Sequence, residues 1–223
     1  MQALEVGIHD FAVPPIYDWG SASLSSTRVL VGQAVLPAPD KEYEIDFMHG
    51  ALSDINRGAI AMGKFEQTSA AYEGLEQALV SVGVPVDAVL DRNVLYCKSA
   101  AFHEDGAFNT LFATALWHGQ EGDVVFPRLG AKVEMRPGTF IVFDCHEPHC
   151  FVARGKTTWE EADYGDAPFS HLLSFDLDRF NLEVRELFNL RETDNPPLGA
   201  VSDKGMTVCQ RTGKYVRAVA ARA

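Results

Sequence analysis

A chain of 223 residues with 47% hydrophobic and 10% aromatic side chains has enough apolar surface for one packed core, which excludes a disordered or low-complexity protein. Its formal net charge of −12 opposes the broad phosphate neutralisation that duplex nucleic acid demands, so such a partner is not expected. The start, Met1 to Glu5, lacks the basic residues and apolar run of a secretory leader, and no apolar run is long enough to span a bilayer. Four cysteines (Cys97, Cys145, Cys150, Cys209) show no Cys-x-x-Cys spacing and read as free thiols of a reducing compartment, so a cytoplasmic location is expected.

In chain order, turn signals at Pro14-Pro15 and Asp18-Trp19-Gly20 precede a β-branched stretch from Ser25 to Leu36, read as a strand stopped by Pro37 and Pro39. Leu75, Leu79 and Val82 recur at helical spacing, which predicts a helix over 69–82 with Thr68 or Ser69 at its start and Gly83 and Pro85 beyond its end. A short second helix is expected at 87–90. Asn93 to Lys98 reads as a strand with Val94, Tyr96 and Lys98 on one face and Leu95 and Cys97 on the other. Residues 109–117 read as a buried strand, 117–123 as a turn with His118 exposed in it, and 124–126 as a short strand ended by Pro127. Ala131 to Arg136 alternates, with Ala131, Val133 and Met135 facing in. Pro137-Gly138 signals a turn into an apolar strand over 139–143.

The acid-rich segment 155–168, with Trp159 and Tyr164, has the length of a lid or a binding element. It leads to a strand over 169–177 and an amphipathic helix over about 178–190, broken by Pro196-Pro197. The tail from Lys204 interleaves basic and apolar residues and reads as a final strand or helix packed on the rest. The whole is expected to be a single domain, 1–223. Residues 1–92 supply N-terminal strands and supporting helices, 93–180 the catalytic core, and 181–223 a C-terminal extension.

The chemistry concentrates between Phe102 and Val152. His103 and Asp105 lie two apart, so on an extended chain their side chains share a face and meet one ion from one side. A third ligand must come from elsewhere, and His146 and His149 are both placed to give it. Two imidazoles and one carboxylate on one face leave three positions of an octahedral ion open. Non-haem Fe(II) oxygenases use that arrangement to bind a co-substrate and dioxygen together.

The order of these parts resembles the double-stranded β-helix Fe(II)/2-oxoglutarate dioxygenases, most closely the branch with the TET and J-binding-protein oxygenases and the prolyl-hydroxylase-like enzymes. The resemblance rests on His103-Glu104-Asp105, the Gly122-Asp123 turn before a strand ending at Pro127, Pro137-Gly138, the apolar strand that follows, and the distal His. It covers about a third of the chain. It implies a mainly β fold with flanking helices, a jelly-roll or cupin-like double-stranded β-helix. It also implies Fe(II) held by His103, Asp105 and His149, the distal His being His149 by its distance from Gly138. As co-substrates it implies 2-oxoglutarate and O2, with release of succinate and CO2. The implied reaction is oxidation, by the presence of Asp105 a hydroxylation, of a small-molecule or peptide substrate.

One part departs from the resembled pattern. The basic residue that pairs there with the far carboxylate of 2-oxoglutarate is missing from the strand over 169–177. His171, Arg154 and Lys156 stand as replacement anchors, with Arg179 just past the strand, and Tyr96 as a further hydrogen-bonding group. A cupin-like oxygenase or isomerase that does not use 2-oxoglutarate, or a non-catalytic β-barrel binding protein, are the alternatives.

Overall fold

The computed structural model describes residues 1–18, 20, 22–46, 61–63, 68–105, 110–164, 168–202, 204 and 206–217. Trp19 of the second turn signal, Asn109 at the expected strand start and Asp166 of the acidic segment lie outside the described residues.

The first part of the chain forms β1 (Gln2–Ala3), β2 (Gly7–Asp10), β3 (Ile16–Asp18), β4 (Ser23–Leu24), β5 (Arg28–Gln33), α1 (Lys41–Asp46), β6 (Ala61–Gly63) and α2 (Ser69–Ser81). Eight strands follow: β7 (Val89–Cys97), β8 (Ala100–His103), β9 (Thr110–Gly119), β10 (Gly122–Phe126), β11 (Ala131–Met135), β12 (Thr139–Asp144), β13 (His149–Ala153) and β14 (Ser170–Asp178). The chain ends with α3 (Leu182–Phe188), β15 (Arg191–Glu192), β16 (Val201–Ser202) and a hairpin of β17 (Met206–Val208) and β18 (Tyr215–Arg217).

Strands β7 to β14 are one antiparallel ribbon folded back over itself. At its tip β10 pairs with β11, and moving outward β9 pairs with β12, β8 with β13 and β7 with β14. Neighbouring coils join sideways through β9–β14 and β10–β13. The result is a double-stranded β-helix, with β7-β14-β9-β12 in a larger sheet and β8-β13-β10-β11 in a smaller one facing it. β2 and β5 extend the larger sheet at one edge and β6 at the other, while β1 extends the smaller sheet beyond β11. The second helix expected at 87–90 is a single 3-10 turn, Val86–Ala88, and β7 begins directly after it at Val89, while β3 and β4 pair in a separate sheet with β15 and β16.

Both faces of the larger sheet are covered, which is why β12 is an unbroken buried run, Thr139 to Asp144, rather than an alternating one. Between the sheets lie Leu116, Val124, Phe126, Val133, Met135 and Ile141. On the outer face, α2 buries Ala71, Leu75 and Leu79 in a cluster with Val94, Leu173 and Phe175. Their four-residue spacing makes one stripe of the helix, and each leucine removed from water contributes about 1.5–3 kcal/mol. α3 is shorter than the sequence pattern suggests. Asn181 caps its start by accepting from the Glu183 and Val184 amides, and Asn189 ends it in a left-handed conformation. Among the described residues no helix is long and apolar enough to cross a membrane.

The expected turn over 117–123 is narrower in the structure: β9 continues through His118 and closes on Gly119, whose φ is +95°. A Cβ built there would stand 2.2 Å from the Phe169 carbonyl oxygen. Gly119→Ala is therefore expected to lower stability by about 1–3 kcal/mol, read as a shift in the urea midpoint. A change within about 0.5 kcal/mol would mean that the β9 exit is not constrained in this way.

Candidate metal centre

The ribbon's own pairing assembles the first site. β8 runs antiparallel to β13, and their register sets His103 directly against His149. Asp105 follows β8, tied to the facing segment by its backbone amide donating to the Cys145 carbonyl at 2.8 Å. The nitrogen and oxygen atoms that His103, Asp105 and His149 offer all lie within 4.8 Å of one another. His103 Nε2 stands 3.4 Å and His149 Nε2 3.5 Å from Asp105 Oδ2.

The tautomers are set by backbone acceptors. His103 Nδ1 lies 2.7 Å from the Ala101 carbonyl and His149 Nδ1 2.9 Å from the Glu147 carbonyl. A carbonyl only accepts, so each Nδ1 carries the proton and each Nε2 lone pair is directed at the shared point beside Asp105. Burial, reinforced by the adjacent His103, lowers the pKa of His149 to about 4, which keeps it a neutral donor at physiological pH. Burial also works against charge on Asp105, but the adjacent His103 and His149 together outweigh it and hold the carboxyl below its usual range. Burial works to lower the pKa of His103, but the Asp105 carboxylate outweighs it and raises the value, so a metal ion would take the place of a proton on that Nε2. Two imidazole Nε2 atoms converging beside a carboxylate fit a divalent transition-metal ion.

His146 takes a different place. Its Nδ1 is 2.9 Å from Asp144 Oδ1, its Nε2 is 3.5 Å from Asp18 Oδ2, and the Arg179 Nη1 is 3.3 Å from the ring. Asp144, Cys145 and His146 also bring ligand atoms within 4.8 Å of one another. Asp144, however, already accepts from the Ser26 amide at 2.8 Å and from the His146 amide, and faces Arg179 at 3.7 Å. A guanidinium thus fills the cationic role in this cluster, which ties β12 to the loop bearing His149.

Burial opposes charge on His146, yet its bonds to Asp144 and Cys145 outweigh that and raise its pKa to about 10. A folded value above the unfolded value of about 6.5 places its stabilisation fully below pH 6.5. That contribution is expected to fade as pH rises through about 10, seen as a falling urea midpoint. An unchanged midpoint between pH 7 and 10 would contradict it.

Behind the same loop, the Glu147 carboxylate is 1% exposed and is held by Arg128, with Nε to Oε2 at 3.0 Å. The hairpin β17–β18 reaches this region as well. Tyr215 Oη meets both the Glu104 carboxylate and the His146 carbonyl, the latter at 3.2 Å. Glu104 stands between His103 and Asp105, and His146 on the approach to His149, so one hydroxyl links the two segments that carry the cluster. Tyr215→Phe is expected to weaken metal binding about tenfold while the fold persists. Unaltered affinity by calorimetry would remove Tyr215 from any positioning role.

The site opens on a cavity of about 60 Å³ between the sheets. Phe112 and Phe143 line it near His149, and Leu95, Cys97, Val124 and Leu172 line it further in. None of the four residues expected to hold a co-substrate is among those lining it. His171 and Tyr96 belong to the opposite face of the larger sheet, because Leu172 and Ser174 take the inward positions of β14, and Leu95 and Cys97 those of β7. His171 Nδ1 bonds Tyr43 Oη at 2.7 Å and its ring stacks on His118, which is half-buried in β9, not exposed in a turn. Burial, and then the neighbouring His118, lowers the pKa of His171 to about 3, so it carries no charge at neutral pH. Arg154 is exposed and engaged with Glu121 and Glu134, and Lys156 with Asp163.

The acidic segment is not a free lid where it is described. Trp159 Nε1 donates to Ser99 Oγ at 3.1 Å, and its ring packs with Val208 on the cluster of Phe102, Val125 and Cys150 behind the smaller sheet. The strip of Arg128, Lys132 and Arg136 is likewise engaged, with Glu147, Asp123 and Glu134. Arg179, the cation just past β14, faces Asp144 and the Leu24 carbonyl and does not line the cavity. The residues that sequence reasoning missed are Tyr215, Asp144 and Glu147. Only Asp144 carried a signal, as a carboxylate closing an otherwise apolar strand.

No family model and no curated protein matches the chain. Solved structures similar to it include a viral collagen prolyl hydroxylase from Paramecium Bursaria Chlorella virus-1, at 12% identity over 66% of this chain and 94% of that one, with a TM-score of 0.41. A prolyl-4-hydroxylase from Pseudomonas putida matches at 15% identity over 68% and 92%, with a TM-score of 0.41. An oxidoreductase of the 2OG-Fe(II) oxygenase family from Burkholderia pseudomallei matches at 14% identity over 69% of each chain, with a TM-score of 0.28. The strand order described above carries the fold assignment by itself.

Proposed function

We propose that this chain is a mononuclear non-haem Fe(II) oxygenase with His103, Asp105 and His149 as its metal ligands. One observation carries the reading: two imidazole Nε2 atoms and one carboxylate oxygen converge at the mouth of an apolar cavity inside a double-stranded β-helix. Three protein ligands on one side leave room for a chelating co-substrate and dioxygen, and the bound iron supplies the O2 chemistry that no side chain provides.

The chain's own contributions are separable. The Ala101 and Glu147 carbonyls orient the two imidazoles, while Asp105 supplies the negative charge that favours a divalent ion. Phe143, with its ring centroid 4.7 Å from that of His149, and Phe112 keep one side of the site dry. The co-substrate in this reading is a 2-oxo acid, and the outcome is hydroxylation of a small-molecule or peptide substrate.

2-Oxoglutarate itself is poorly matched to the described lining. Its 2-oxo acid end suits the open side of the metal, but among the described residues no Lys or Arg lines the cavity to receive its second carboxylate. That mismatch also favours the cupin-like alternative, a metal-dependent oxygenase or isomerase that takes no 2-oxo acid.

The test is release of labelled CO2 from 1-labelled 2-oxo acids by the Fe(II)-loaded protein in air, beside Asp105→Ala. Decarboxylation that needs iron, oxygen and Asp105 is the expected result. Iron binding without decarboxylation of any 2-oxo acid would move the cupin-like reading ahead.

A further inference from the structure

We propose that the metal pocket is built for a 2-oxo carboxylate with a short, apolar, uncharged tail, of the branched-chain 2-oxo acid class, in place of a dicarboxylate. This rests on the reading of His103, Asp105 and His149 as metal ligands and adds the chemistry of the space beyond them.

The register of the larger sheet fixes which residues stand deep in that space. Phe143, beside His149, pairs with Phe112, while further along β9 Thr114 faces Ser174 and Leu116 faces Leu172. From Phe112 to Leu116 the strand advances about 13 Å, so Leu172 stands well inward of the metal end. Around it the cavity is walled by Leu95, Cys97, Ala100, Val124 and Phe151. The two hydroxyl groups of the lining are those of Thr114 and Ser174, and Thr114 Oγ1 already donates to the Leu173 carbonyl at 3.1 Å.

The nearby cations among the described residues are committed elsewhere. Arg154 and Lys156 hold acids on the protein's exterior, and buried Arg179 faces Asp144 and the Leu24 carbonyl. A second carboxylate pushed into this cavity would lose its water with at most one hydroxyl to replace it, a heavy penalty for a buried ion. A branched alkyl tail meets only favourable surface there, and each CH₂ it buries tightens binding about fourfold. The cavity, about 60 Å³, is small, which favours a short tail.

The experiment is anaerobic calorimetry on the Mn(II)-loaded protein with 4-methyl-2-oxopentanoate, 2-oxoglutarate and pyruvate. The branched acid is expected to bind at least tenfold more tightly than either of the others. Leu172→Arg, which places a guanidinium in the wall, is expected to invert the order in favour of 2-oxoglutarate. Leu172→Ala, which only removes methyl groups, is expected to weaken 4-methyl-2-oxopentanoate and leave pyruvate unchanged.

Wild-type protein that binds Mn(II) and prefers 2-oxoglutarate, or binds none of the three acids, overturns the inference and leaves the metal site standing. Failure to bind Mn(II) at all overturns the metal site, and the inference with it.

Discussion

His149→Ala is expected to lose stoichiometric Fe(II) and Mn(II) binding while keeping the wild-type far-ultraviolet spectrum. The residue is 8% exposed, is oriented through the Glu147 carbonyl and faces His103 across the β8–β13 pair. Removing it leaves one imidazole and one carboxylate, and no other described histidine joins them. The loss should exceed the roughly 10–100-fold that changes behind a metal ligand typically cost. His146→Ala is the control. Its ring is turned to Asp144 and Asp18, so it should bind metal within a few-fold of wild type and lose stability instead. Wild-type affinity in His149→Ala with loss in His146→Ala would exchange their roles.

Asp144→Ala is expected to be the most destabilising substitution around the site, by about 3–5 kcal/mol. That is the usual cost of deleting one partner from a buried ion pair. The Asp144 carboxylate is fully buried and serves the Ser26 amide, the His146 amide and ring, and Arg179. Without it Arg179, 3% exposed, and the protonated ring of His146 remain buried beside each other, with Asp18 3.5 Å from the ring. Urea unfolding measures the loss as a lower midpoint at constant slope. A loss under 1 kcal/mol would mean that water or rearranged acids replace Asp144, and that it does not anchor the loop bearing His149.

The ribbon and the meeting of His103, Asp105 and His149 were legible in the sequence because they depend on short-range pattern. Alternation in Ala131–Met135, the Pro137-Gly138 turn and the apolar run after it fix strand lengths. Once the ribbon folds, β8 and β13 must meet, and His103 faces His149. The side to which β14 turns was not legible. A one-residue difference in parity sends His171 to the outer face and Leu172 inward, and the parity is set by pairing with β7, where Ser170 meets Cys97.

Long-range polar links were equally hidden. Tyr215 reaches Glu104 only because the C-terminal hairpin lies beside β8, with the Phe102 amide donating to the Gln210 carbonyl at 3.0 Å. Gly213 allows that close approach, since a Cβ there would stand 2.3 Å from Pro127 and 2.6 Å from Phe102. In the sequence these residues are one aromatic and one glycine in a mixed tail, with nothing to mark what they touch.

X-ray absorption at the iron edge of the anaerobic Fe(II)-loaded protein tests the central claim most directly, because the two His-containing clusters differ in their donor atoms. The His103, Asp105 and His149 site predicts only nitrogen and oxygen neighbours at about 2.0–2.2 Å, with the outer-shell scattering of two imidazoles. A sulfur neighbour at about 2.3 Å would place the ion with Cys145 beside Asp144 and His146, and would contradict the account.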